Sequence, residues 1–347
     1  MDKNFKINSI SSTKCRTDRW ITIEIIIPVY NEEEVLPILF KTLESVFSHE
    51  NLKKNKIKKI QYLLIDDGSK DSSVKIILEH IKKGQPATLY RFTRNFGHQN
   101  AVSAGLEHAT GDVVAVIDAD LQDPPEVIFQ MIEEWRKGFD VIYGIRKKRK
   151  ENFLKVFAYW FFYRLLSFLS EIEIPLDSGD FSLIDKKVVQ AMCDLPEKIR
   201  YPRVIRSWVG FKQTGIQYER FSRKAGKTKY PFKKLYKLAT DGVASASVKP
   251  LRISQLFSVF FLVCLVILTC IIIFKFSYYL QNPNELALWF LFGYALISLC
   301  GFVQALLIYI LSGYVGRSYL EIKGRPPYLI MEVINKKTVS NCAENEK

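Results

Sequence analysis

Hydrophobic and polar stretches alternate along the first half of the chain with spacings that predict strands and helices in turn. Short apolar runs rich in β-branched residues predict buried strands at 21–29, 60–65, 87–92, 113–117 and 141–144. Amphipathic stretches predict helices that end near Phe47, run from Asp71 towards Lys82, and cover 100–109 and 124–137. A basic, polar loop from Lys53 to Lys59 is predicted before the second strand. Strands in strict alternation with helices indicate an α/β fold with a mostly parallel sheet.

Polar residues follow four of these strands at the point where each strand ends. They are Pro28 to Glu32, Asp66 and Asp67, Arg94 to Gly97, and Asp118 to Gln122. Right-handed crossovers bring the carboxyl ends of parallel strands to one edge of the sheet, which is where open α/β sheets bind ligands. Each group taken alone is compatible with an ordinary turn or helix cap. Their occurrence at successive strand ends favours a binding site at this edge.

Asp118 and Asp120 are the most informative of these residues. Strand geometry points residues two apart to one face, and together with Gln122 they would offer hard oxygen ligands to Mg²⁺ or Mn²⁺. Such an ion would neutralise the charge of a substrate diphosphate. The alternative is a solvated acidic loop that caps the helix starting at Pro124 and Pro125.

The second half of the chain contains two long stretches without a charged residue. Each exceeds the roughly eighteen residues needed to cross a bilayer, which predicts transmembrane helices at about 256–279 and 286–314. The loop 281–285 contains no Lys or Arg, whereas both outer flanks are basic. The flanking cations are Lys233, Lys234, Lys237, Lys249, Arg252, Arg317, Lys323 and Arg325. The positive-inside rule therefore predicts a multi-pass protein of the plasma (inner) membrane, with the soluble domain and both termini in the cytoplasm.

An aromatic stretch at 153–169 precedes these spans and carries Lys155 and Arg164. Its length and its cations favour a helix lying in the membrane interface, with a buried core helix as the alternative.

Composition narrows the classes of partner. The 347 residues carry a formal charge of +14, which suits nucleic acid, an anionic membrane surface or phosphate-bearing substrates. No zinc-finger spacing, RNP-like motif or coherent basic helix supports nucleic acid. The six cysteines include no Cys-x-x-Cys pair, which indicates thiols in a reducing compartment. The polar N-terminus predicts a flexible lead-in without a secretory signal.

Four motifs stand in an order and spacing that resemble family 2 glycosyltransferases of the GT-A fold. They are Pro28-Val-Tyr-Asn-Glu32, Asp66-Asp-Gly-Ser69, Arg94-Asn-Phe-Gly97 and Asp118-Ala-Asp-Leu-Gln-Asp-Pro-Pro125. Three later segments, 176–185, 223–230 and 312–328, are similar to the branch that uses polyprenyl phosphates. That branch includes dolichol-phosphate mannose synthases and bacterial GtrB- and ArnC-like enzymes. Thr228 stands where the family motif has serine.

The resemblance implies a nucleotide-sugar pocket lined by Pro28, Tyr30, Glu32, Asp66, Asp67, Arg94 and Asp118. Asp66 or Asp67 would hydrogen-bond the base or ribose, and Asp118 would approach the ribose or sugar as a catalytic residue. Asp120 and Gln122 would bind the Mg²⁺ or Mn²⁺ that bridges the diphosphate and offsets charge on the leaving group.

The resemblance also implies the acceptor side of the site. Arg146 matches the arginine that follows this strand in the family and would hold the acceptor phosphate, with Lys155 and Arg223 as further candidates. A solvated, membrane-facing patch is the alternative for the basic run 146–150. Asp180 would lie near the anomeric carbon, as a base or as a group that orients the acceptor. A phosphate monoester is already ionised at neutral pH, so a positioning or electrostatic role is favoured.

These roles imply an inverting transfer from a nucleotide-diphosphate sugar to polyprenyl (undecaprenyl) phosphate at the cytoplasmic membrane face, for cell-envelope glycan or lipid modification. UDP-glucose, UDP-N-acetylglucosamine, a modified UDP-arabinose and GDP-mannose remain open as donors, with a uridine donor favoured. The resemblance also implies a homo-oligomer, of which a tetramer is the form suggested by relatives. A processive polysaccharide synthase is one alternative, although the Gln-x-x-Arg-Trp motif usual in such enzymes is not the sequence at 205–208. A non-catalytic membrane scaffold is the other.

The predicted organisation has five parts. A flexible N-terminus (1–20) precedes a GT-A domain (21–230) that includes the interfacial helix 153–169, and a juxtamembrane segment (231–254) follows. The two transmembrane helices occupy 255–315, and a cytoplasmic tail (316–347) ends the chain, polar and predicted to be disordered from Asn335.

Overall fold

The computed structural model describes residues 16–146, 178–221, 257–273 apart from 258, 268 and 272, 283–336, and 338. These residues belong to two compact units. The first contains the described residues up to 146, those of 178–221, and those from 326 onwards, and the second contains the described residues between 257 and 325.

An eight-stranded sheet forms the centre of the first unit, in the order β7-β5-β6-β4-β1-β2-β3-β8. Its strands are β1 (Ile21–Val29), β2 (Ile57–Asp66), β3 (Ala87–Phe92), β4 (Val113–Val116), β5 (Val141–Arg146), β6 (Ser178–Asp185), β7 (Gln213–Tyr218) and β8 (Ile330–Asn335). Within the group β1 to β4, neighbouring strands are parallel, and β5 is parallel to β7. Strand β6 runs antiparallel to β4 and β5, and β8 runs antiparallel to β3. The predicted α/β fold with a mostly parallel sheet is confirmed.

Helices of the first unit cover both faces of this sheet. They are α1 (Leu36–Val46), α2 (His49–Lys54), α3 (Ser73–Lys82), α4 (His98–His108), α5 (Val127–Arg136), α6 (Lys186–Cys193) and α7 (Pro202–Trp208). Ile23, Ile25 and Ile27 of β1 pack with α1, α3 and α5, whereas Ile26 packs with α4, α6 and α7. Successive strand residues point to opposite faces, so a continuous apolar run is buried on both sides.

Several local features differ from the sequence-based expectations. Helix α2 occupies the first part of the predicted Lys53–Lys59 loop and continues back to His49, and β2 already starts at Ile57. Helix α1 starts only at Leu36, after a turn in which Asn31 has a left-handed φ of 52°. The apolar pattern did not predict β6, α6, α7 or β7.

Strand β8 lies in the segment expected to be a tail. It pairs with the edge strand β3, and an ion pair between Arg91 and Glu332 (2.9 Å) joins the two strands. The ring of Tyr328 stacks on Phe92 at 4.9 Å between centroids, and its hydroxyl donates to Glu107. The chain therefore returns to the sheet after its apolar region.

Helix α8 (Pro283–Ile322) dominates the second unit. Its segment Phe292–Ile322 is long and apolar enough to cross a membrane, by length and composition, and contains most of the predicted span 286–314. Around the predicted span 256–279, the described residues include a shorter apolar helix, Val259–Ile271. Residues 256, 258, 268, 272 and 274–279 of that span lie outside the described residues, as does the predicted interfacial helix 153–169, so both stay predictions.

Candidate active site at the carboxyl ends of the strands

The parallel pairing of β1 to β4 brings the predicted site residues to one edge of the sheet. Val29 is paired with Asp66, and Asp66 with Arg91, so these strands end side by side. The loops that follow β1, β2, β3 and β4 carry the four motifs found in the sequence.

Hydrogen bonds join the β1 loop to the β2 loop. The backbone N–H of Asn31 donates to Ser69 Oγ (2.9 Å), and the N–H of Lys70 donates back to Asn31 Oδ1 (2.8 Å). The N–H of Glu32 donates to Ser73 Oγ at 2.8 Å. Pro28 is buried within β1, whereas Tyr30 is 36% exposed. The two loops thus form one fixed wall of the site, with an aromatic ring at its surface.

Asp66 and Asp67 have different environments, which the sequence could not separate. Asp67 accepts from the N–H groups of Phe96 (2.6 Å) and Gly97 (3.0 Å), so its carboxylate holds the loop that carries Arg94. Asp66 Oδ1 accepts from the Ser69 N–H (3.1 Å), while its Oδ2 has no hydrogen-bond partner among the described residues and lies 3.7 Å from Arg91 Nε. Burial raises the pKa of both carboxyls.

Gly68 allows the β2 loop to approach the β3 loop closely. Its φ is +71°, and a Cβ at this position would lie 2.6 Å from the carbonyl carbon of Arg94. A side chain here would push away the Arg94 loop, whose guanidinium packs 4.0 Å above the Phe96 ring and is exposed.

The loop after β4 contains the candidate metal ligands. Asp118 is about one-third exposed, whereas Asp120 is 6% exposed and accepts from the N–H of Gln122 at 3.1 Å. Leu121, between Asp120 and Gln122, has a left-handed φ of 56°. No group of three His, Cys, Asp or Glu side chains in the described parts of the chain forms a metal cage. Mg²⁺ is commonly held by one or two carboxylates together with substrate phosphates, so the oxygen donors of Asp120 and Gln122 fit such an ion.

Asp180, on β6, lies within a cluster of donors. Its Oδ2 is 3.3 Å from His98 Nε2 and accepts from Gln99 Nε2 at 3.1 Å, and its Oδ1 is 3.5 Å from Arg203 Nη2. His98 Nε2 is also 3.7 Å from Asp118 Oδ1. The N-terminus of α4 therefore connects the β4 loop to β6.

The charges in this cluster shift one another's pKa. Burial would raise the pKa of the Asp180 carboxyl, but Arg203, His98 and Arg206 together hold it well below its usual range. Burial opposes charge on His98, yet Asp180 and Asp118 raise the pKa of its imidazole to about 9. Burial raises the pKa of Asp118 to about 6. At neutral pH the cluster therefore combines ionised carboxylates with a charged imidazole.

Sequence reasoning missed His98, Gln99 and Arg203 as site residues. His98 and Gln99 directly follow the Arg94–Gly97 motif. Their position next to that motif could have identified them as site residues. Arg203 carries no comparable local signal, because only the packing of α7 beside β6 brings it to Asp180.

Arg146, the last residue of β5, is held from two sides. Its Nε donates to the Tyr218 hydroxyl (3.4 Å), and that hydroxyl donates to the buried carboxylate of Asp123. A Cβ on Gly179 would lie 2.8 Å from Arg146 Nη2, so the guanidinium lies against the backbone next to Asp180. Tyr218 and Asp123 were not predicted as site residues. The other acceptor candidates, Lys155 and Arg223, lie outside the described residues.

Known proteins are similar in sequence to this chain over most of its length. Residues 24–193 match the model of Glycosyl transferase family 2. The uncharacterized glycosyltransferase YkcC of Bacillus subtilis (strain 168) is 40% identical over 320 residues, covering 90% of this chain and 94% of the relative. A bactoprenol glucosyl transferase of Shigella phage SfX is 37% identical over 318 residues, covering 89% and 98%. Among solved structures, glucosyl-3-phosphoglycerate synthase from Mycobacterium tuberculosis with Mn²⁺, UDP-glucose and phosphoglyceric acid aligns at a TM-score of 0.45 and 15% identity, covering 65% of this chain and 78% of that one.

Proposed function

This chain belongs to glycosyl transferase family 2 and is a glycosyltransferase, and we propose that it transfers a sugar from a nucleotide-diphosphate sugar to polyprenyl phosphate at the cytoplasmic face of the membrane. The similarity to a bactoprenol glucosyl transferase over 98% of that enzyme's length carries the proposal. Bactoprenol is a polyprenol, and its phosphate is the acceptor implied by that name. The apolar helix Phe292–Ile322 is consistent with a lipid acceptor.

The donor would bind along the β1, β2 and β3 loops. Tyr30 offers an exposed ring for the base, Asp66 an oxygen with no hydrogen-bond partner among the described residues, and Arg94 an exposed cation. Pro28 and Glu32 complete that wall, while Asp67 acts indirectly because its carboxylate holds the Arg94 loop. Glucose as the transferred sugar agrees with the name of the phage relative, and N-acetylglucosamine is the second candidate. We favour uridine as the nucleotide of the donor.

In the proposed reaction a phosphate oxygen of the acceptor forms a bond to the anomeric carbon. The bond from that carbon to the β-phosphate oxygen breaks, and the nucleoside diphosphate leaves with its electron pair from the opposite face. A divalent ion held by Asp120 and Gln122 would supply charge neutralisation for this leaving group. The attacking phosphate is ionised at neutral pH, so no proton has to be removed. The lowered pKa of Asp180 supports a positioning role, since a carboxylate of that acidity is a poor base.

Lipid glycosylation by the purified full chain tests this function directly. We expect membranes containing undecaprenyl phosphate and Mg²⁺ to accumulate one lipid-linked sugar per acceptor when radiolabelled UDP-glucose is added. UDP-N-acetylglucosamine, a modified UDP-arabinose and GDP-mannose serve as comparison donors. Water-soluble polymer would indicate a processive synthase, and nucleotide binding without transfer would indicate a scaffold; either result would contradict the proposal.

Replacing Gly179 by alanine should weaken acceptor binding with little effect on folding. The added methyl group would lie 2.8 Å from Arg146 Nη2, the mobile end of a long side chain, so the guanidinium moves while the backbone stays. Loss of a charged hydrogen bond to phosphate predicts an increase of roughly tenfold in the KM for polyprenyl phosphate. The KM for the donor should stay within about twofold.

A double-mutant cycle with Arg146→Gln provides the control for the Gly179→Ala variant. If the methyl group acts only by displacing the guanidinium, it has no further effect once Arg146 is gone. Additive losses in the double variant would mean that Gly179→Ala acts through some other contact.

A further inference from the structure

Two arginines of α7 place additional positive charge beside Asp180. Arg203 and Arg206 are three residues apart and therefore share one face of the helix. Arg203 Nη2 is 3.5 Å from Asp180 Oδ1, and Arg206 is near enough to lower the pKa of the Asp180 carboxyl. Arg203 is 38% exposed at its side chain, whereas Arg206 is only 2% exposed.

The part of the chain that the structure describes does not provide an acceptor for every N–H of these two guanidinium groups. Nε and Nη2 of Arg206 and Nε of Arg203 are buried without a hydrogen-bond partner among the described residues. The Tyr143 ring, 5.6 Å from Arg206 Cζ, offers a weak contact. Buried donors that lack acceptors are destabilising, and a bound water, ion or ligand is one explanation for such donors in native structures. Burial lowers the pKa of Arg206 to about 10, so it remains a cation at neutral pH.

Asp180 cannot complete the hydrogen bonding of all its neighbours. Its Oδ2 already faces His98 and Gln99, which leaves Oδ1 for Arg203. Three cations, His98, Arg203 and Arg206, act on the single carboxylate of Asp180 and lower its pKa. The guanidinium nitrogens that Asp180 does not reach can therefore donate to a further anion.

We propose that Arg203 and Arg206 form an anion subsite beside Asp180 that takes the phosphoryl group of the polyprenyl phosphate acceptor. This subsite rests on the proposed function. A phosphate monoester carries close to two negative charges at neutral pH, and guanidinium forks bind its oxygens in pairs. The acceptor is favoured over the β-phosphate of the donor because the β4 loop already offers a metal site for the diphosphate. Arg146, against Gly179, would contact the same phosphoryl group from β5.

The position of this subsite gives Asp180 a specific task. A carboxylate next to an incoming phosphate dianion would repel it if it stood alone. Because His98 and Arg203 lie at its two oxygens, the Asp180 carboxylate instead holds these cations in position, and the cations attract the phosphate. We therefore treat Arg203 and Arg206 as acceptor-binding residues and Asp180 as the residue that positions them.

Arg203→Gln tests the subsite, because Arg203 is the more exposed of the two and its replacement is compatible with folding. We expect the KM for undecaprenyl phosphate to rise about tenfold and the affinity for UDP to stay within about twofold. Arg203→Lys, which keeps the charge without the fork, should recover part of this loss. Arg206→Lys should show the same selective effect, with thermal unfolding measured to confirm that the variant is folded.

Lys212→Gln is a matched control because it also removes one positive charge, but away from the site. Lys212 directly precedes β7, whereas Tyr218, which contacts Arg146, is at the other end of that strand. Lys212 is exposed, and its Nζ lies 4.7 Å from the Phe139 ring centroid. A loss of donor or UDP affinity in Arg203→Gln with an unchanged acceptor KM would assign the arginines to the leaving diphosphate. Unchanged constants for both substrates would leave them only a structural role at Asp180. Either outcome overturns the proposal.

Binding of a short, soluble prenyl phosphate, measured by calorimetry without any donor, separates the subsite from the proposed function. We expect the wild-type protein to bind it and Arg203→Gln to bind it about tenfold more weakly. Equal binding by both proteins would refute the subsite even if transfer is observed. A wild-type protein that binds the prenyl phosphate but glycosylates no lipid would refute the proposed function and leave the subsite standing.

Discussion

Replacing Asp120 by asparagine is expected to lower the rate of sugar transfer by at least about 100-fold. Asp120 is 6% exposed in the loop after β4, and Gln122 donates its backbone N–H to Oδ1 of that carboxylate. The substitution keeps the shape of the side chain and removes its negative charge. Without that charge a divalent ion binds weakly, and the departing diphosphate loses the group that would offset its developing charge.

Metal titration provides the measurement for Asp120→Asn. Chelation should abolish transfer by the wild-type protein and Mg²⁺ or Mn²⁺ should restore it, whereas the variant should need far more metal or recover little activity. Glu126→Gln is the control, since Glu126 is an exposed acid close to this loop in sequence. Full activity of the wild-type protein in chelator, together with an active Asp120→Asn, would exclude the metal role.

The edge of the sheet that carries the proposed donor site could be predicted from the sequence for a local reason. Strands β1 to β4 are short apolar runs that end abruptly at polar residues, and parallel pairing then fixes where those residues meet. Strand β3 was predicted with its observed bounds, and the Asp118 loop was placed correctly after β4.

The rest of the sheet depends on contacts that no local pattern encodes. Strand β6 contains Ser178, Asp180 and Ser182, so its alternation is weak, and it is fixed by pairing with β4 and β5. Strand β8 reaches β3 from the far end of the chain. Long-range pairing of this kind overrides local preference.

The proposed acceptor side was less predictable than the proposed donor side for the same reason. Arg146 was predicted because a family motif contains it, whereas its partners Tyr218 and Asp123 come from β7 and from the β4 loop. Arg203 and Arg206 lie on a short helix, and only its packing brings them to Asp180. A single charged residue in a sequence does not show which carboxylate it will meet.

Replacing Asp180 by asparagine should lower kcat by about 100- to 1,000-fold while donor binding is largely retained. The asparagine would still accept from Gln99 Nε2, but it would leave His98, Arg203 and Arg206 without their shared counter-charge. Repulsion among these cations would displace them from the geometry in which they hold the acceptor. Because the loss comes from misplacement, Asp180→Glu should recover little of it.

The pH dependence distinguishes this positioning role from general-base catalysis. The pKa of Asp180 is held well below its usual range, so the carboxyl stays ionised and gives no change in rate between about pH 5 and 8. In Asp180→Asn the imidazole of His98 loses one of the carboxylates that raise its pKa to about 9, so its pKa should fall, which NMR titration can measure. A wild-type rate that falls below about pH 7 through a group absent from Asp180→Asn, with an unchanged His98 titration, would identify Asp180 as a base. A wild-type profile from which Asp180→Asn removes no ionisation, together with a lowered His98 pKa, would mean that the carboxylate works by fixing the cations around it.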